Sequence, residues 1–131
     1  MKPTIYLTVS ILIMAAFSGG NAIAQTQNTF IHVARLVIDP GKLEDYKSAL
    51  KEHAAKAVKL EPGVITLYAV YEKQRPTHVT VFEIYANAAA YEAHRETEHF
   101  KKYKSTTQHM VKSLVLEDMA PIALGSKPTP K

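Results

Sequence analysis

Apolar and polar side chains begin to alternate at Phe30. Phe30, His32, Ala34, Leu36 and Ile38 fall on one face of an extended segment, and Ile31, Val33, Arg35 and Val37 fall on the other. That period of two predicts a strand whose two faces are both largely apolar. Asp39-Pro40-Gly41 follows, and reads as a helix start: Asp39 can accept from free backbone N–H groups, and Pro40 suits the first helical position. The period then lengthens. Leu43, Tyr46, Leu50, Ala54, Ala57 and Leu60 recur at helical spacing, with Lys42, Glu44, Asp45, Lys51, Glu52 and Lys59 on the opposite face. Pro62-Gly63 stops this helix. Val64–Glu72 and Thr77–Tyr85 are rich in β-branched and aromatic residues, and the short polar link Lys73–Pro76 makes them a hairpin. Asn87 can cap a helix from Ala88 to about Glu96, and Thr97 a separate or kinked piece from Glu98 to about Met110. Lys112–Met119 supplies a last strand.

This order is β-α-β-β-α-β, the ferredoxin-like arrangement of the α+β class, with helices on one face of an antiparallel sheet. Both strand faces carry apolar side chains, yet the helices can cover only one. The free face therefore calls for a partner, and a homodimer with its sheets packed face to face meets that need.

Composition changes the picture at the two ends. Lys2, the apolar run Ile5–Phe17 and the small residues of Ala22-Ile23-Ala24 read as a signal peptide over residues 1–24, cleaved after Ala24. The run is shorter than the roughly 20 residues needed to span a bilayer, and Gly19, Gly20 and Asn21 interrupt it, so no stable membrane anchor is expected after cleavage. The expected location is outside the cytoplasm, in the periplasm. Residues 25–29 read as a flexible start, 30–120 as one domain, and 121–131 as an extended tail. Of 16 Lys and Arg only Lys2 lies in the leader, and set against 12 acidic residues this leaves a mature chain near +3 with no long basic run. Nucleic acid is therefore not a partner. Cysteine is absent, which excludes disulfides, thiol catalysis and thiolate metal sites.

From Phe30 to Ala120 the chain resembles the antibiotic biosynthesis monooxygenase superfamily, particularly its small quinol-monooxygenase-like members. The matching features are Pro40-Gly41 at the start of the first helix and Pro62-Gly63 at its end, Phe82-Glu83-x-Tyr85 ending the third strand, Ala90-Tyr91-x-x-His94, and His99-Phe100. The resemblance implies a dimeric α+β barrel with a pocket in each subunit, and oxidation of a small aromatic or quinol-like substrate by O2 without a bound metal or flavin. A deprotonated quinol can pass an electron to oxygen itself, so the protein need only bind it, take a proton and exclude water. Where haem-degrading relatives carry an asparagine, a tryptophan and an iron-binding histidine, this chain has Ala34, His94 and Lys104, which departs from haem chemistry. The superfamily also leaves open an isomerase of a small oxygenated metabolite, or a non-catalytic binding module related to stress.

Within this resemblance His94 ranks first as the catalytic base, because a neutral imidazole can accept a phenolic proton and its position matches the family's pocket histidine. His99 is the second catalytic candidate; its alternative is packing beside Phe100 to join the two helix pieces. Tyr68, Glu83, Tyr85, Tyr91 and Phe100 are the candidate substrate contacts. Glu83 shares a strand face with Val79, Val81 and Tyr85, and a salt bridge to Arg35 at the dimer interface is its structural alternative. On a continuous helix His94 and His99 would stand roughly 140° apart, and no other histidine spacing makes a metal motif, so no metal site is expected.

Overall fold

A computed structural model describes residues 28–128, so the leader and its cleavage point lie outside the described residues. Strand β1 (Phe30–Ile38) leads through a short 3-10 turn (Pro40–Lys42) into helix α1 (Leu43–Leu60). The hairpin β2 (Val64–Tyr71) and β3 (His78–Tyr85) follows, then α2 (Ala88–Glu96), α3 (Glu98–Thr107), a second 3-10 turn (Gln108–Met110) and β4 (Val111–Met119). The strands form one antiparallel sheet in the order β2-β3-β1-β4, which is the ferredoxin-like topology. No helix or strand occurs over residues 120–128. Among the described residues no helix is long and apolar enough to cross a membrane.

Local chemistry sets the element ends. The Asp39 carboxylate accepts from the Gly41 N–H at 2.9 Å, which fixes the entry to α1. Along α1, Tyr46, Leu50, His53 and Ala57 are buried, a spacing of three and four that turns one stripe onto the sheet. The stripe meets Leu36, Ile38, Val79, Val81 and Tyr85, so the core lies between α1 and the centre of the sheet. Each such aliphatic side chain stabilises the fold by about 1.5–3 kcal/mol on burial.

Gly63 closes the α1–β2 turn against α2. A Cβ built there would stand 2.6 Å from the Ala90 Cβ, so only glycine allows this approach, and the Gly63 carbonyl also accepts from the Ala86 N–H at 2.9 Å. The consequence is that Glu61, at the end of α1, is held beside α2.

The expected break between the last two helices falls at Thr97, whose backbone is extended (φ −68°, ψ 150°). Its hydroxyl donates to the His94 carbonyl at 2.7 Å and accepts from the Phe100 N–H at 3.2 Å. One side chain thus ends α2 and caps α3.

Register decides which side chains face the helices. His32 pairs with Glu83 and Ala34 with Val81 across β1 and β3, while Arg35 pairs with Thr80. Glu83 and Arg35 therefore occupy opposite faces, and the salt bridge that was the alternative reading of Glu83 does not form. Arg35 donates instead to Glu117 of β4 at 3.0 Å. Glu83 points to the helix side, away from the free face where a dimer was expected to use it. Tyr68 pairs with Phe82 and is 63% exposed on that free face. A period of two gives each strand's faces but not which face of one strand joins which face of the next.

Candidate active site

Between the sheet and the helices lies a cavity of about 310 Å³. Ala34, Leu36, Val81, Leu114 and Leu116 form its apolar sheet wall, and Leu50, Phe100 and Tyr103 its helical wall. His32, His53, Glu83, Tyr91 and His94 bring polar groups to it, with Arg95 and Lys104 at its edge. The β4 leucines remain about half exposed because no helix covers this edge strand, so the cavity opens there.

One polar cluster is centred on Glu61. Its Oε2 lies 2.8 Å from His94 Nδ1 and 2.6 Å from His99 Nε2. A carboxylate can only accept, so both ring nitrogens donate to it. That fixes the His94 tautomer: Nδ1 carries the proton and Nε2 keeps its lone pair. Nε2 is buried and has no hydrogen-bond partner, and His94 as a whole is fully buried. Burial pushes the His94 pKa down, which the Glu61 carboxylate opposes. The imidazole is thus kept neutral but oriented, the condition for accepting a proton.

Two further buried polar groups flank it. His53 Nδ1 and the Tyr85 hydroxyl are buried without a hydrogen bond of regular geometry, although the His99 backbone lies near the first and the Glu83 carboxyl near the second, and their rings stand 5.1 and 5.3 Å from that of His94. Burial takes the His53 pKa down to about 4, helped by His94 and His99, and pushes that of Tyr85 well above the ordinary phenol value. The unpartnered His94 Nε2, on a residue that lines the cavity, is the atom a polar ligand would complete.

Glu83 lies on the sheet wall with its side chain buried and, among the described residues, no cationic partner. Burial raises its pKa to about 7, the nearby Tyr85 hydroxyl opposing this in part. A second histidine–carboxylate pair lies on the same wall: His32 Nδ1 is 2.8 Å from Asp118, and the Tyr91 hydroxyl is 3.3 Å from His32 Nε2. The Phe30 and Tyr91 rings stack at 4.8 Å beside it.

Of the residues singled out from the sequence, His94, Glu83, Tyr91 and Phe100 line the cavity together. Tyr85 lies behind the wall, against His94. His99 lies outside the cavity lining and reaches the site through Glu61. Tyr68 is on the opposite face of the sheet and is not brought to the site. Sequence reasoning missed Glu61, His32 and His53. His32 and His53 left a signal, each being a lone histidine on the apolar face of its predicted element; Glu61 left none, since its partners lie 33 and 38 residues away.

Comparison with known proteins agrees with this fold. The family model for antibiotic biosynthesis monooxygenase matches residues 29–106. The chain belongs to the antibiotic biosynthesis monooxygenase family. Among solved structures, one from Bacteroides thetaiotaomicron described as a candidate antibiotic biosynthesis monooxygenase is 49% identical, with a TM-score of 0.76 over 79% of this chain and 99% of the other. A candidate monooxygenase from Lactobacillus acidophilus is 26% identical, with a TM-score of 0.68 over 70% of this chain and 43% of the other. One from Caulobacter crescentus, at 24% identity and a TM-score of 0.69 over 77% of this chain and 96% of the other, shares the fold. Among curated proteins none matches. Family membership supports a general monooxygenase-like function.

Proposed function

We propose that this chain is a monooxygenase that oxidises a small phenol or quinol with molecular oxygen, and that His94 is its base. The observation that carries the reading is the His94 Nε2 lone pair, buried, unpaired and set by the Nδ1 contact to Glu61, in the wall of a largely apolar cavity. His94 takes the proton of one substrate hydroxyl. The phenolate then transfers an electron to O2, and the two radicals combine at a ring carbon. Loss of water leaves one oxygen atom on the ring, so a quinol and O2 give a hydroxyquinone and water, with all electrons supplied by the quinol. Glu61 is a positioning residue, and Tyr91 and Phe100 hold the ring between aromatic surfaces. The apolar walls keep water from the anion.

One observation favours a second reading. Glu83, neutral below about pH 7, places an acid in the same cavity as the base, the pairing that an isomerase of a small oxygenated metabolite needs. Quinol-dependent oxygen uptake, lost in His94→Ala, supports the monooxygenase; turnover of a substrate under nitrogen supports the isomerase.

The proposal extends to a homodimer through the free sheet face, supported by exposed Tyr68, Val70 and Val115 there. A light-scattering mass of one chain at micromolar concentration would remove it. It also extends to export, for which a mature N-terminus at Gln25 by mass spectrometry is the expected finding.

A further inference from the structure

The break at Thr97 does more than orient a base. On an unbroken helix the two histidines would point apart, but here both reach one carboxylate oxygen, and the three ligand-type atoms lie within 4.8 Å of one another. We propose that Glu61, His94 and His99 form a binding site for a first-row divalent metal ion, zinc above all. Two imidazoles and a carboxylate are the donor set such borderline ions take, and three protein ligands leave a position for water. Zinc bonds of about 2.0–2.1 Å require ligand atoms roughly 3.3 Å apart in a tetrahedron. The 2.6 and 2.8 Å contacts therefore open by roughly 0.5–0.7 Å as the ion takes the place of the two shared protons, each of which moves to the far nitrogen of its own ring.

The surroundings suit a cation. Glu61 and His99 side chains keep 12% exposure each, so the cluster can be reached from the surface while His94 anchors its inner end. A small cavity of about 50 Å³ beside His99 and His53 has room for a water. The nearest lysines across it, Lys56 and Lys102, are both paired with Glu52, which lowers their repulsion of an incoming ion. His53 stays outside the ligand set and packs its ring against both histidines.

Binding has a consequence that rests on the proposed function. A metal on His94 Nδ1 takes the place of its proton, and the neutral ring must then carry its proton on Nε2. The atom proposed to accept a proton becomes a donor, so the ion-bound and base-competent states exclude each other. Zinc acts as a reversible inhibitor.

The test uses tag-free purified protein, titrated with zinc by calorimetry and with cobalt(II) by visible absorption. The expected result is one ion per chain, a cobalt spectrum of low coordination number, and affinity weakened more than about tenfold in both Glu61→Gln and His99→Ala. His109→Ala, outside the cluster, is expected to bind as the parent does, and circular dichroism checks that each variant is folded. Absence of binding, or affinity equal to the parent's in folded Glu61→Gln and His99→Ala, overturns the site. Zinc binding that leaves quinol-dependent oxygen uptake intact keeps the site and overturns His94 as the base.

Discussion

Glu61 meets Nδ1 of His94 at 2.8 Å, although 33 residues separate them in the chain. The contact settles which ring nitrogen carries the proton, and thereby makes Nε2 the basic atom. Replacing Glu61 by Gln keeps the shape but offers an amide that can donate as well as accept, so the tautomer is no longer fixed. The expected result is a kcat lower by roughly ten- to ten-thousandfold, the span of effects seen for orienting carboxylates, with KM little changed. Steady-state kinetics on a quinol substrate checks it; a raised KM with unchanged kcat would place Glu61 in substrate binding.

Gly63→Ala tests the packing that holds Glu61 in place. The new methyl would fall 2.6 Å from the Ala90 Cβ, and overpacking of this kind costs about 1–3 kcal/mol. Thermal melts are expected to show a Tm several degrees lower, with part of the loss recovered in the double variant Gly63→Ala/Ala90→Gly. The recovery is incomplete because glycine inside a helix itself costs about 1 kcal/mol.

Thr97→Ala removes the hydroxyl that joins the His94 carbonyl to the Phe100 N–H. Loss of an N-cap costs about 0.5–2 kcal/mol. The same change loosens the helix break that brings His94 and His99 onto Glu61, so activity is expected to fall more than stability alone explains. Thr97→Ser, which keeps the hydroxyl, is expected to restore both. Parallel melts and kinetics on the two variants decide the matter.

These elements also show how far the sequence could be read. The periods of two and three to four, the Asp39 and Asn87 caps, the Pro62-Gly63 stop and the Thr97 break were all legible, because each is written in neighbouring residues. The faces were not. Glu83 and Arg35 looked like partners until the β1–β3 register put them on opposite sides of the sheet, and Tyr68 fell on the free face for the same reason. His94 was found through its family motif, whereas Glu61 could be found only once the fold brought the end of α1 against α2. Spacing alone set His94 and His99 apart, because helical geometry was extended through a residue, Thr97, that interrupts it.

Glu83 supplies a pH prediction. Its pKa is about 7 in the folded chain against 4.5 for the free group. Between those values the folded state holds more protons than the unfolded one, so stability falls as pH rises through this window and the loss is complete above about pH 7. Glu83→Gln, which mimics the neutral form, is expected to stabilise the protein at pH 8 by on the order of 2 kcal/mol and to change little at pH 4. Urea unfolding at the two pH values measures the difference; a Glu83→Gln variant less stable than the parent at pH 8 would show the charged carboxylate to be favoured in the fold.

Oxygen consumption with a small hydroquinone, followed by electrode for the parent, His94→Ala and His109→Ala, bears most directly on the role of His94. Uptake in the parent and in His109→Ala, with a loss of a hundredfold or so in folded His94→Ala, within the range of a removed general base, is the expected result. Uptake in His94→Ala equal to the parent contradicts His94 as the base.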